Sequence, residues 1–200
     1  MILINICVLK SGGEYTADHV QWLAKQVDDL HCLSDIPIDG VKTIPLQYDW
    51  PGWWSKMELF RPDICHDLFH YDLDTVVIDP IVPNGECSLM LRDFYYPSRS
   101  GSGLMYIRHK DKSAVWDAWI VDPAGNQSYK PTAAHHGDQG FIQDFLPHRK
   151  WQEFHERDIM SYKAHVRKLG IKPRGIVCFH GHPRPWEARE SWVPQIIVGK

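Results

Sequence analysis

An α/β fold, one domain with a mostly parallel central sheet flanked by helices, is predicted by three observations in the 200-residue chain. Apolar runs of strand length alternate with stretches of helical spacing. The first such run passes through a glycine-containing loop into a helix, the order in which α/β units open. No repeat, linker or low-complexity tract divides the chain, and its length suits a single core.

Each element can be justified in order. Ile2 to Leu9 is an apolar run ended by Lys10-Ser11-Gly12-Gly13, a buried strand entering a loop. From Thr16, a candidate N-cap with Glu14 and Asp18 nearby, the spacing turns helical and puts Val20, Leu23, Ala24 and Val27 on one face. This strand, loop and helix form the opening of an α/β nucleotide-binding unit. Val41 to Leu46 reads as a short strand, and Trp53 to Phe60 as a helical turn or two stopped by Arg61-Pro62. Leu68 to Ile78 is one extended element closed by Asp79-Pro80. Cys87 to Leu91 and Gly103 to Arg108 are further strands, the second preceded by a loop over Ser98 to Ser102. Ser113 to Val121 is a helix with Val115, Trp116, Trp119 and Ile120 on its apolar side, and Asp138 to Phe145 is another. Residues 149 to 169 show no clear period. Gly175 to Phe179 is a last strand, before an aromatic tail with Trp186 and Trp192.

Composition sets limits on function. A hydrophobic fraction of 44% and a charged fraction of 24% exclude a disordered chain. Lys and Arg number 22 against 25 Asp and Glu, and a net charge of −3 excludes a wide basic face for nucleic acid. A small phosphate-bearing ligand in a locally basic pocket remains compatible. The five cysteines, Cys7, Cys32, Cys65, Cys87 and Cys178, form no C-x-x-C pair, and four are expected to be buried free thiols. The opening apolar run is too short for a signal peptide or a membrane span, and no later run reaches about 18 apolar residues. The expected setting is reducing and cytoplasmic, with no integral membrane segment. Twelve His and nine Trp are high for this length.

Three motifs carry chemistry. In a strand, Asp72 and Asp74 of Asp72-Leu73-Asp74 point to the same side, so two carboxylates converge among Phe69, Leu73, Val76 and Val77. Like charges in apolar surroundings call for a cation, and Mg²⁺ or Mn²⁺ suits oxygen ligands. The plainer alternative is one Asp capping a turn while the other faces water. The second motif, His180-Gly181-His182-Pro183-Arg184-Pro185-Trp186, follows the last strand. It offers a candidate third ligand in a neutral imidazole, a close backbone approach at Gly181, a phosphate-pairing Arg184 and a wall in Trp186. Its alternative is a Pro-stiffened packed tail. In the third, Asp138 and Gln139 between glycines suit sugar hydroxyls, unless Asp138 is only an N-cap. The adjacent His135 and His136 diverge in helix or strand, which argues against a shared ion.

In this order, over residues 2 to 187, the pieces resemble the GT-A class of nucleotide-sugar glycosyltransferases, most closely the family 8-like group. The likeness lies in the opening strand and loop, Tyr71-Asp72-Leu73-Asp74-Thr75, Ser102-Gly103-Leu104-Met105, Asp138-Gln139-Gly140, and the terminal His-Gly with basic-Pro-Trp. The resemblance implies a single GT-A-like domain with a nucleotide-sugar half over about residues 1 to 110 and an acceptor and sugar half over about residues 111 to 200. It implies Mn²⁺ (or Mg²⁺) held by Asp72, Asp74 and His180 against the diphosphate, with Arg184 in place of the family's Lys; Leu73 and Gly181 count with these among the expected binding residues. Asp138 and Gln139 would meet the donor sugar near the reacting carbon. The loop Leu9 to Tyr15, including Lys10 and Ser11, would surround base and ribose, and Lys56 would reach nucleotide or sugar. The implied partners are a nucleoside diphosphate sugar, uridine being the first candidate, and a carbohydrate or other hydroxyl acceptor. The chain departs from the family in its shorter spacing from His180 to Pro185-Trp186 and in a length near the minimum for the fold. A reduced acceptor region could be completed by a second copy in a homo-oligomer. Trp50, Trp53 and Trp54 are either an acceptor stacking surface or core.

Rival readings remain at this level. A sugar nucleotidyltransferase needs a loop rich in cations for a triphosphate, and here the first loop offers only Lys10. A metal-dependent hydrolase has only the H-x-H of His180 and His182 to rest on. A non-catalytic sugar- or nucleotide-binding module, its aspartate pair structural, is the non-enzyme alternative.

Overall fold

The computed structural model describes residues 2–128 and 137–196, so His135 and His136 lie outside the described residues. The chain opens with β1 (Leu3–Leu9), α1 (Ala17–Ala24), β2 (His31–Ser34) and β3 (Lys42–Pro45), followed by a 3₁₀ helix over Gly52–Phe60. Next come β4 (Asp67–Tyr71), β5 (Thr75–Val77), β6 (Ser88–Arg92) and β7 (Ser100–Ile107), then α2 (Lys112–Ile120), α3 (Pro123–Asn126) and α4 (Asp138–Phe145). β8 (His148–Lys150), β9 (Ile159–Ser161), a π-helical turn over Tyr162–Arg167 and β10 (Ile176–Cys178) follow.

Seven strands form the central sheet in the order β3-β2-β1-β4-β7-β6-β8, and β5-β10-β9 form a second, smaller one. In the central sheet β3, β2, β1 and β4 run parallel, β7 is antiparallel to β4 and β6, and β8 is parallel to β6. The apolar runs of β1, β4 and β7 are continuous because both faces of the sheet are covered. Cys7, Leu9, Phe69, Tyr71, Leu104 and Tyr106 join the core beneath α1 and the small sheet. The alternate residues Ile6, Leu68, Met105 and Ile107 join the core that holds Trp54, Trp119 and Phe141 on the opposite face. In α1, Thr16 stands extended at the N-cap, its N–H donating to His19 Nδ1 at 3.0 Å, and Val20 and Leu23 are buried as expected; the helix ends at Ala24, and Val27 is buried from the turn beyond it.

Several expectations need correction. Asp72 to Asp74 is not strand: the N–H of Thr75 donates to the Asp72 carbonyl at 3.1 Å, closing a turn that separates β4 from β5 in another sheet. Ser100 to Ser102 belong to β7, not to a loop. Ile120 is exposed, because the apolar side of α2 ends at Trp119. Three cysteines, Cys7, Cys32 and Cys178, are buried instead of four; Cys87 is partly covered and Cys65 exposed. The strands β2, β8 and β9 were not anticipated; they are short and lean on neighbouring strands.

From β1 the chain builds outward through β2 and β3, then returns to place β4 on the other side of β1. The carboxyl ends of β1 and β4 therefore flank the point where strand order reverses, the usual place for a ligand in an open α/β sheet.

Candidate functional site

A cleft of about 800 Å³ opens at those strand ends, with Leu9, Tyr15, Lys56, Asp72, Asp74 and Asp138 among its walls. Two backbone features shape its floor. The pairing of β6 with β7 shifts register between Met90 and Leu91, which frees Ser102 and Gly103 from the regular ladder. Gly103 then accepts the Asp72 N–H on its carbonyl at 2.8 Å, and a Cβ there would stand 3.2 Å from Asp72 Oδ2. Opposite, Gly137 at φ +75° starts α4 and lets the chain pass the Trp53 ring, which a Cβ would meet at 2.7 Å.

The carboxylates come together as charged pairs. Lys56, from the 3₁₀ helix, places Nζ 2.7 Å from Asp72 Oδ1 and 3.4 Å from Asp138 Oδ2. Asp138 Oδ2 also accepts the Ser102 hydroxyl at 2.7 Å. Burial pulls the Lys56 ammonium down, but the charges of Asp138 and Asp72 outweigh it and hold the lysine protonated. Asp74 accepts the Tyr15 hydroxyl at 3.1 Å and is paired with Arg184 Nη1. Its carboxyl is pushed up to about 7, first by burial and then by the charge of Asp72, against the pull of Arg184 and Tyr15. Below them, the buried His70 has Nε2 3.8 Å from Asp72 Oδ1, and burial together with the Lys56 charge keeps the ring neutral.

Most of the remaining residues expected from the sequence also line this cleft: Leu9, Lys10, Leu73, Gln139, His180 and Gly181. Lys10 is already committed, 2.8 Å from Asp35 and 2.7 Å from Asp49. Ser11 stands outside the lining; its N–H and hydroxyl both donate to Asp35 at 2.8 Å. Burial opposes ionisation of Asp35, yet the bonds from Lys10 and Ser11 prevail and hold it at about 2. Trp50 and Trp54 are 8% and 7% exposed and belong to the core, whereas Trp53 is 60% exposed and lines the cleft.

His180 lines the cleft without joining the aspartates. Its Nε2 shares a 2.7 Å hydrogen bond with Ser161 Oγ, and its ring stacks on Phe94 at 5.6 Å. His182 is 2.9 Å from Glu187 and outside the cleft walls. Among the described residues no three His, Cys, Asp or Glu side chains converge as a metal-ligand set. Among the described residues, Glu14, Asp72, Asp74 and Asp138 form ion pairs with Lys56 and Arg184, so carboxylates outnumber their paired cations, and hard oxygen ligands of this kind suit a divalent cation. The residues that sequence reasoning missed are Asp35, His70, Phe94 and the role of Glu14. None of them stands in a sequence pattern that marks a site; Asp35 simply follows Ser34 at the end of β2.

No protein-family model matches the sequence, and no curated protein matches it either. Solved structures do resemble the fold. A galactosyltransferase, LgtC, in complex with donor and acceptor sugar analogs superposes with a TM-score of 0.63 at 12% identity, over 92% of this chain and 89% of that one. The glycosyltransferase GlyE of Streptococcus pneumoniae TIGR4 gives 0.60 at 12% identity, over 92% of this chain and 55% of its own. A glycosyltransferase involved in glycosylation of the major capsid of PBCV-1 gives 0.54 at 10% identity, over 93% and 97%. The chain has the fold of these glycosyltransferases, the GT-A fold.

Proposed function

We propose that the chain is a glycosyltransferase that moves a sugar from a nucleoside diphosphate sugar, UDP being the first candidate nucleotide, to a hydroxyl of a carbohydrate or other acceptor. The observation that carries this reading is the Asp72-Leu73-Asp74 turn at the strand-order switch, flanked by Lys56 and Arg184 inside one cleft. Breaking the bond between sugar and diphosphate leaves negative charge on phosphate oxygens while the sugar gains oxocarbenium character. Arg184 and Lys56 neutralise the first charge, and loss of one such contact typically costs ~10² to 10³ in rate. Asp138 and Gln139 meet the donor sugar beside the reacting carbon, where the Asp138 carboxylate, oriented by Ser102 and Lys56, steadies positive charge.

Mn²⁺, or Mg²⁺ in its place, fits Asp72 and Asp74 as hard oxygen ligands and would neutralise the leaving diphosphate when bound. His180 would serve as a third ligand through Nε2 only by giving up Ser161, whereas Nδ1 would keep that bond. The commitment of Lys10 to Asp35 and Asp49 leaves the first loop poor in cations for a triphosphate, which disfavours a nucleotidyltransferase. The free thiols of the five cysteines suit a reducing, cytoplasmic setting.

Thermal melting with UDP, GDP, CDP and ADP, each with and without Mn²⁺, tests the reading. A ligand at about 100 times its Kd stabilises by roughly 2.7 kcal/mol, a shift of several degrees. One diphosphate should raise Tm with Mn²⁺ present, and Asp74→Ala should remove the effect. Asp138→Asn should keep that shift and lose hydrolysis or transfer of the matching sugar nucleotide, whereas a binding module shows no turnover in either form. No shift with any nucleotide would sink the donor site.

A further inference from the structure

We infer that Glu14 is a positioning residue for Arg184, setting its guanidinium to receive the diphosphate of the donor; the inference rests on the reading above. Arg184 sits in the loop just before the 3₁₀ turn over Pro185–Glu187, and nothing in that loop fixes where a long, flexible side chain ends. Glu14 does so from 170 residues away in sequence: Arg184 Nε donates to Oε1 at 2.8 Å and Nη2 to Oε2 at 2.6 Å, the fork-on-fork geometry that orients a guanidinium plane. Tyr15 adds a second constraint, its ring centroid 5.1 Å from Arg184 Cζ. Trp186, two residues on, is anchored against Tyr15, His19 and Trp22 with centroids 6.1, 4.4 and 5.6 Å away.

The arrangement divides the five N–H groups of the guanidinium. Glu14 takes the Nε edge, and Nη1 is turned to Asp74, the carboxylate beside which the diphosphate belongs. One N–H on each terminal nitrogen has no partner among the described residues, and Arg184 lines the cleft, so phosphate oxygens can be met without breaking the Glu14 fork. Glu14 is itself half exposed and outward of Arg184, so its work is orientation, not burial.

The test compares affinity for a nucleoside diphosphate with affinity for the corresponding nucleoside, by calorimetry, using the base that the wild type binds among UDP, GDP, CDP and ADP. Glu14→Gln should weaken the diphosphate about tenfold, the worth of one charge-assisted contact. It should weaken the nucleoside by much less than the diphosphate. In an Arg184→Met background the same substitution should add nothing, because no guanidinium is left to orient. Equal loss for nucleoside and diphosphate, an undiminished loss in the Arg184→Met background, or unchanged or tighter diphosphate binding each overturns the inference. A wild type that binds no nucleotide overturns the donor-site reading instead, so the two failures are distinct.

Discussion

The Lys56 ammonium lies between Asp72 and Asp138, at 2.7 and 3.4 Å, where water reaches it poorly. Such a pair differs from an exposed one, because removing one partner strands the other charge in a poor solvent. Lys56→Met leaves both carboxylates without that counter-charge and should destabilise by about 3 kcal/mol, roughly 6 to 12 °C in Tm for a chain of this size. A melt at or above the wild-type midpoint would contradict this. Residue types made Asp72, Asp74, Asp138 and Arg184 stand out in the sequence as candidates, since acids paired in an apolar stretch and an arginine set between prolines need partners. Partners were not legible. Arg184 and Glu14 meet across 170 residues, and Asp74 takes its hydrogen bond from Tyr15 across 59. The three tryptophans near Pro51 show the same limit: their sequence neighbourhoods are alike, and only packing separates Trp53 in the cleft from Trp50 and Trp54 in the core.

Elements bring these residues together through their irregularities. The turn at Asp72 to Asp74, the register shift opposite Ser102 and Gly103, and the start of α4 at Gly137 all interrupt regular structure at the cleft. Backbone freed from a ladder can aim side chains at a ligand, so an extended-strand reading of Leu68 to Ile78 picks out Asp72 and Asp74, which do line the cleft, by a geometry the turn replaces. Gly137 tests this reasoning. Its φ of +75° and the Trp53 ring 2.7 Å from a Cβ leave no room for a side chain. Gly137→Ala should cost at least about 1 to 2 kcal/mol from the backbone alone. The measurement is urea unfolding at constant m; no loss of stability would show that the start of α4 tolerates a side chain. The helices α1 and α4 were readable because caps and periodicity are local, while β8 and β9, three residues each, exist only through the strands they pair with.

At the scale of the molecule, both cores use opposite faces of one sheet, and the second half of the chain completes the first. β8 pairs with β6, β10 pairs with β5, and Trp22 of α1 donates to the Pro194 carbonyl at 2.8 Å. Both halves therefore belong to one structure, and the intact chain should unfold in a single transition, with calorimetric and van't Hoff enthalpies equal. A fragment of residues 1–110 should lack cooperative melting by circular dichroism; a folded fragment or two resolved transitions would refute this. The sequence by itself determined the fold class, the order of the main elements and a short set of candidate acids and bases, because hydrophobic period, capping and residue type act over a few neighbours. Only the tertiary structure decided that the acids sit in a turn, that Lys56 and Arg184 neutralise them, and that Glu14 orients Arg184. Those pairings depend on chain closure over tens to hundreds of residues, and no local pattern encodes where such distant groups meet.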